Sequence, residues 1–399
     1  MDLPKEAEKY IMNTYRRYPL SISRGKGSYL FDNRGNKYLD FIAGIAVCSF
    51  GHSPSFISKV LKAQSEKLIH TSNLFYTEPQ IELARRLIEK IKHHDKSLNY
   101  RCFFCNSGTE ANEAAIKLVR KYERKNGRDR FEIITFFNSF HGRTYGSLSA
   151  TAQEKFHRDF EPMLPGFRYV RFNDIKEFKK AVNQKTAAVM LEIIQAEGGV
   201  NFIDKNFLQE LSVICKKEGI LLIFDEVQTG VGRTGMFFSF EHFGIEPDIL
   251  TLAKGVAGGV PMGVMMAKNE VSEAFEPGNH ASTFGGSPLV SAVAIEVVKR
   301  INKKFLKNVE SKGDYLLKSL ASLGKKYPLK KPRGLGLLLG IDVEHKVPAN
   351  IVKVALEKGL LINLTAEKTI RLVPPLNVSY EEIDEFLERF EDTLKEVFR

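Results

Sequence analysis

The chain has no tryptophan, only four cysteines, and no apolar run near the ~20 residues a membrane-spanning helix needs. The missing tryptophan excludes nothing. Four cysteines in 399 residues cannot form a disulfide framework, and a reducing cytoplasm is the expected location. The opening Met1-Asp-Leu-Pro-Lys-Glu-Ala-Glu-Lys9 has no apolar stretch, which argues against a secretory leader. The nine histidines show no metal-ligand spacing, so no metal is expected. Internal repeats and low-complexity tracts are also missing. One C-x-x-C, Cys102 to Cys105, stands without a second. Residues three apart on a strand face opposite sides, so two core thiols are expected there, not a redox or zinc pair.

What is present is an ordinary globular composition with a formal charge of +11. Its basic residues are scattered and interleaved with acids, as in Lys121-Tyr-Glu-Arg-Lys-Asn-Gly-Arg-Asp-Arg130. That texture fits a solvated basic surface, with no nucleic-acid or membrane partner expected. The length allows two domains.

The middle of the chain alternates strands and helices. Apolar runs at 101–106, 131–137, 187–194, 220–227 and 249–253 read as strands, with a further one at 261–267. The stripe Ala111, Ala114, Ala115, Leu118, Val119, Tyr122 reads as a helix. A second helix around Phe207–Cys215 ends at Gly219. Fully apolar strands separated by helices predict a mostly parallel sheet covered on both faces, with ligands outside the strands' carboxyl ends. Past Ser287-Pro288 the texture becomes that of a smaller α+β domain. It has a long helix at 289–301, a segment Gly334–Asp342, a strand at 369–373 and a final helix at 381–398. The first ~50 residues read as a helix and a hairpin turning at Asp32-Asn-Arg-Gly35. The expected division is 1–50 packing with the small domain, 51–286 as the large domain, and 287–399 as the small domain.

Two charges stand where apolar strands run out. Asp225 closes Gly219-Ile-Leu-Leu-Ile-Phe-Asp225, and Lys254 closes Asp248-Ile-Leu-Thr-Leu-Ala-Lys254. Taken alone, a strand-end lysine is usually solvent-facing. Here Gly255, Gly258 and Gly259 leave room beside it, and Asp225 lies one βα unit upstream. An amine and an acid so delivered are the pair that pyridoxal 5'-phosphate requires. The amine makes the Schiff base, and the acid keeps the pyridine nitrogen protonated. Burial would lower the lysine pKa, as that chemistry needs. Ser107-Gly108-Thr109 opens a helix, which suits a phosphate as well as a plain N-cap. Arg143 and Arg371 are carboxylate forks or structural ion-pair members. Glu197 is a turn residue or a partner for such an arginine.

Two nucleotide motifs fail. Gly25-Lys26 and Gly324-Lys325 lack the upstream glycine of a P-loop. Gly230-Val-Gly232-Arg-Thr-Gly235 spells GxGxxG, but Met-Phe-Phe-Ser-Phe follows in place of a helix start, so a plain Gly-rich loop is expected.

Taken together, these segments resemble the class III (ω-amino) aminotransferases of PLP fold type I. The resemblance rests on Asn106-Ser-Gly-Thr-Glu-Ala-Asn-Glu113, Phe140-His-Gly-Arg-Thr144, Phe224-Asp-Glu-Val-Gln228, Gly232-Arg-Thr-Gly235, Pro247-Asp248 through Lys254-Gly255, Ser282-Thr-Phe-Gly-Gly286, and Arg371 before Pro374-Pro375. They span nearly the whole chain in the family's order. It implies an aspartate aminotransferase-like α/β fold and a homodimer with shared active sites. The acetylornithine branch is the nearer one, since the ornithine branch tends to have Trp beside the Gly-Arg that follows Phe140-His141. The implied reaction moves the δ-amino group of N2-acetylornithine to 2-oxoglutarate, with ornithine, succinylornithine, N-succinyl-diaminopimelate or 4-aminobutyrate as alternative donors.

The resemblance also implies roles. Lys254 would bind the cofactor and carry the proton, and Asp225 would pair with the ring nitrogen. Gln228 would reach the ring 3'-oxygen, with Phe140 and Val227 against the two ring faces. Ser107, Gly108 and Thr109 would hold the phosphate, and Thr283 would complete that cup from the partner subunit, with Ser282 near the substrate. Arg143 would take a substrate carboxylate, and Arg371 the α-carboxylate of glutamate. Glu197 would mask Arg371 when an amine end enters. The chain departs from the family pattern at Pro54, Ile193, Ala196, Ala281 and Ser287.

Overall fold

The computed structural model describes residues 3–91, 100–344 and 348–398. Its centre is a seven-stranded sheet. In spatial order the strands are Tyr100–Cys105, Gly263–Lys268, Ile249–Leu252, Leu221–Asp225, Thr186–Leu191, Glu132–Phe136 and Phe167–Val170. The chain is thus α/β with a mostly parallel sheet. Gly263–Lys268 is the exception, antiparallel to both neighbours. Its apolar run marked a buried strand but could not mark direction, because burial on both faces gives the same pattern either way.

Helices cover the sheet on both faces. Gly108–Lys125 buries Ala111, Ala114, Ala115, Leu118 and Val119, the stripe expected from periodicity. Lys205–Glu218 ends at Gly219, whose φ of 63° is the left-handed conformation glycine adopts at low cost. Cys102 and Cys105 are free thiols on the edge strand, and burial pushes both up to about 12. That leaves them inert at neutral pH.

The C-terminal part holds an antiparallel sheet, ordered Leu329–Leu335, Leu338–Val343, Thr369–Leu372, Asn363–Thr365. The segment Gly334–Asp342, read as one unit from sequence, splits at Gly336 into two strands of a tight hairpin. Gly336 has φ 52°, and a Cβ there would meet the Thr234 carbonyl carbon at 2.6 Å. The N-terminal strand Lys37–Asp40 pairs in parallel with Leu360–Leu361, and Phe41 stacks on Phe386 at 4.1 Å. Leu39 and Phe41 sit in one buried cluster with Leu316, Ile341, Ile370 and Phe386. Among the described residues, no helix is long and apolar enough to cross a membrane.

Candidate active site

Asp225 and Lys254 end neighbouring parallel strands. In register, Asp225 faces Thr251, three residues before Lys254. Both side chains line a cavity of about 410 Å³ together with Ser107, Gly108, Thr109, Phe140, Arg143, Val227 and Gln228. The cavity opens at the carboxyl ends of the central strands, as a parallel sheet dictates.

Asp225 is buried and accepts three hydrogen bonds. Its Oδ2 accepts from His141 Nδ1 at 2.7 Å and from Asn112 Nδ2 at 2.8 Å, and its Oδ1 from the Val227 N–H at 3.0 Å. His141 and Asn112 were not singled out from sequence. They lie 84 and 113 positions from Asp225, and no local pattern encodes such contacts. The next residue, Glu226, serves structure instead. Its carboxylate accepts the Ser239 and Phe240 N–H groups at 2.7 and 2.8 Å, and burial pushes its pKa up to about 7.

Lys254 opens a short 3-10 turn in the left-handed region, at φ 45°. For a non-glycine residue this costs about 1–3 kcal/mol, a strain that functional positions retain. Burial lowers its pKa, with the Arg371 charge in the same direction. Glu197, Asp225 and Glu192 act the opposite way and recover only part of the shift. A part-buried amine so placed reaches its neutral, nucleophilic form more readily than a surface lysine. Glu192, also not singled out, lines the cavity and accepts the Phe140 N–H at 3.0 Å. Burial raises it well above the usual carboxylate range, and repulsion from Asp225 adds to this.

Gly108 begins the helix Gly108–Lys125, and Ser107 caps it by accepting from the Glu110 N–H at 3.3 Å. Helix geometry leaves the first N–H groups without intrahelical partners, and the dipole there favours an anion. A Cβ on Gly108 would lie 2.7 Å from Val227 Cγ1, so only glycine lets the helix start approach that wall. Phe140 packs edge-on to Phe156, and the Arg143 guanidinium lies 4.0 Å from the Phe156 ring centroid.

Arg371 is 1% exposed and pairs with Glu197, whose side chain is 27% exposed. Its Nη1 donates to Glu197 Oε1 at 2.5 Å and to Gln228 Oε1 at 3.0 Å. Gln228 closes the triangle, donating from Nε2 to Glu197 Oε1 at 3.3 Å. Burial alone would raise the Glu197 pKa, but Arg371 and Lys254 outweigh it and hold the carboxyl below its ordinary value. Gln228 therefore touches both the cavity and this pair. Ser282 and Thr283 lie outside the cavity lining of the single chain. Ser282 Oγ accepts from Asn106 Nδ2 at 3.3 Å, while Thr283 is exposed beside His70 and Phe75.

One wall rests on unusual backbone. Residues 43–46 carry φ between 47° and 64°, a left-handed turn costing about 1–2 kcal/mol per non-glycine residue. Val47, next in line, faces the cavity. Asp40 anchors the turn, since its Oδ1 accepts the Ile42 and Ala43 N–H groups at 2.8 and 3.0 Å. Its Oδ2 lies 2.8 Å from His52 Nε2. Burial pulls the His52 pKa down, but Asp40 and Cys48 together outweigh it and raise the ring to about 9. The folded value exceeds the unfolded one, so the pair stabilises fully below pH ~6.5 and loses that contribution as pH rises through about 9. Solvent reaches the ring, and screening holds the swing to about 1 kcal/mol. His52→Gln is expected to flatten the fall in urea stability across that window. A wild-type pH profile in the variant would refute this.

Comparison with known proteins agrees with this geometry. The family model described as "Aminotransferase class-III" matches residues 10–394. The acetylornithine aminotransferase of Caldanaerobacter subterraneus subsp. tengcongensis is 49% identical over 393 residues, covering 98% of each chain. Among solved structures, the N-acetylornithine aminotransferase of Stenotrophomonas maltophilia is 34% identical, covers 98% of each chain and superposes with a TM-score of 0.84. The ornithine aminotransferase of Toxoplasma gondii is 32% identical and covers 99% of this chain and 94% of its own, with a TM-score of 0.93. The chain belongs to the class III aminotransferases.

Proposed function

We propose that the cavity holds pyridoxal 5'-phosphate and that the chain transfers the δ-amino group of N2-acetyl-L-ornithine to 2-oxoglutarate, giving N-acetyl-L-glutamate 5-semialdehyde and L-glutamate, a step of arginine biosynthesis. One observation carries the cofactor assignment. A part-buried amine just past one strand and a buried carboxylate at the end of its parallel neighbour open into the same cavity. The residues fit such a group in three further ways. The helix start at Gly108 offers N–H donors beside a wall that admits no side chain at that position. Asp225 is fixed by two side-chain donors and one backbone donor, so its charge is oriented before anything binds. Phe140 and Val227 supply apolar surface on the same cavity. The Toxoplasma gondii structure is described with partial occupancy of PLP at its active site.

When bound, the cofactor supplies a carbonyl that receives the amino group and a ring that withdraws electrons from the carbon losing a proton. Everything else falls to the protein. Ser107, Gly108 and Thr109 would hold the phosphate, and Phe140 and Val227 would pack against the ring. Gln228 takes the ring 3'-oxygen. Asp225 holds a proton on the ring nitrogen, and the bonds from His141 and Asn112 keep its carboxylate in place. Lys254 Nζ would bind the cofactor and would take up the proton that the substrate carbon loses. Its lowered pKa suits it to act as base, then acid.

The substrates pose a charge problem. The donor enters with an amine end, and 2-oxoglutarate enters with a carboxylate at the same place. An unpaired buried arginine costs several kcal/mol. Glu197 neutralises Arg371 in the donor half-reaction and turns away in the other, when the carboxylate of glutamate or 2-oxoglutarate replaces it. Arg143, exposed at the cavity mouth, takes the other carboxylate. Glu197→Gln is expected to slow the donor half-reaction roughly 10-fold, since the charge on Arg371 is then unbalanced, with the 2-oxoglutarate half-reaction little changed. Single-turnover rates of the two halves check this.

The proposed enzyme works as a dimer. Leu74, Phe75 and Tyr76 are highly exposed, Tyr76 at 96%, and Phe284 next to Thr283 is 63% exposed. Asn73 bonds the Ser282 and Gly285 carbonyl oxygens at 3.0 Å each, which ties that apolar loop to the segment bearing Ser282 and Thr283. So much exposed apolar area on one face fits an interface. It would bring Ser282 and Thr283 to the partner's cavity.

The substrate assignment is supported by relatives named acetylornithine aminotransferase at 46–49% identity. A donor screen with 2-oxoglutarate tests it. Acetylornithine is expected to give the highest kcat/KM. Preference for ornithine, succinylornithine, N-succinyl-diaminopimelate or 4-aminobutyrate would replace it with that donor.

A further inference from the structure

Resting on the reading of Arg371 and Glu197 as a switch, we infer that Asn363 is a positioning residue that sets the acceptor specificity of the site, by holding Arg371 fixed while Glu197 moves. Asn363 lies directly across the antiparallel ladder from Arg371. With its amide oriented so that both atoms find partners, it accepts from Arg371 Nη2 at 2.9 Å and donates to the Arg371 carbonyl oxygen at 3.2 Å. One side chain thus locks both the guanidinium and the peptide of the same residue.

The donors of Arg371 are then divided. Nη1 goes to Glu197 and Gln228, whereas Nη2 goes to Asn363. Nε is buried without a partner. Glu197 can leave without freeing the guanidinium to follow it, because the Asn363 bonds do not involve Glu197. A fork held in place before binding loses less rotamer freedom when it takes a carboxylate.

The same strand holds the other half of the switch by its backbone. Thr365, two residues on and therefore on the same face, donates to the Glu197 carbonyl oxygen. Arg333 Nε donates to the Gly199 and Val200 carbonyl oxygens at 3.1 Å each. The backbone around Glu197 is tethered to the C-terminal sheet, and the Arg371 side chain is tethered to Asn363. The Glu197 carboxylate is the part left able to swing.

Asn363→Asp keeps the shape and adds a negative charge against Nη2. It is expected to neutralise Arg371 in both halves of the cycle. Binding of glutarate, an unreactive dicarboxylate, to the cofactor-loaded enzyme should weaken roughly 10- to 100-fold by calorimetry, as loss of a charged hydrogen-bond site implies. KM for 2-oxoglutarate should rise in parallel, with the donor half-reaction within about twofold of wild type. Asn363→Ala, the check against a folding defect, should weaken glutarate several-fold and likewise spare the donor half. Equal losses in both half-reactions, or wild-type glutarate affinity in Asn363→Asp, would overturn the assignment. If wild type transfers no amine from any donor, the proposed reaction fails instead, and glutarate calorimetry still reads Asn363 on its own.

Discussion

Lys254→Ala is expected to lower turnover on the order of 10⁴-fold or more. A positioned proton carrier contributes about 10²–10⁴, and the variant also loses the amine proposed to bind the cofactor covalently. No nearby group substitutes for it. Glu192 lines the same cavity, but burial and the Asp225 charge hold it toward its neutral form. Lys254→Arg should not rescue, because guanidinium keeps its proton at any working pH. The visible absorbance of the loaded wild-type enzyme should change in both variants. Steady-state rates with acetylornithine and a spectrum of the loaded protein read both effects. A variant that keeps the wild-type spectrum and turnover would remove Lys254 from the chemistry.

Asp225→Asn is the second large effect, with kcat lowered about 10²–10³-fold, the usual cost of removing one fixed electrostatic partner at a reacting centre. The substitution is nearly isosteric, so it isolates charge from shape. Asp225→Ala should be worse in stability as well. It strands the buried His141 Nδ1, at about 1–3 kcal/mol, while Asn112 Nδ2 keeps its bond to the His141 carbonyl oxygen. Excess cofactor should restore occupancy in either variant without restoring kcat. Recovery of full kcat at saturating cofactor would show that Asp225 only aids binding.

The two chemical groups were legible because each interrupts an apolar run at its end, where a parallel sheet places its ligands. The glycines beside Lys254 were expected to leave room for a ligand, yet of Gly255, Gly258 and Gly259 only Gly259 lines the cavity, and a Cβ at Gly258 would meet Ile57 Cδ1 at 2.7 Å. A Cβ at Gly255 would meet Ser49 Oγ at 2.4 Å, so the chain there must be glycine to pack. Residues acting through long-range contacts left no such mark. His141 passed as part of a motif, not as the ligand of Asp225, and Asn363 passed unnoticed in a short strand. Its role depends on being opposite Arg371, which only strand register decides. The antiparallel course of Gly263–Lys268 and the hairpin at Gly336 were hidden likewise, since apolar patterning reports burial and not direction.

The charge texture needed the fold to be understood. Arg233, inside the GxGxxG-like loop, is buried and donates to the Leu337 and Pro374 carbonyl oxygens at 2.9 and 2.5 Å. The loop that mimicked a dinucleotide fingerprint is a set of turns joining the large sheet's surroundings to the C-terminal hairpin.

The central claim is that Lys254 and Asp225 grip one coenzyme from neighbouring strand ends. Borohydride reduction of the loaded enzyme, followed by peptide mass spectrometry, tests it most directly. A pyridoxyl group on the peptide carrying Lys254, and its loss in Lys254→Ala, is the expected result. A pyridoxyl group fixed on a different lysine, or none fixed at all, would contradict it.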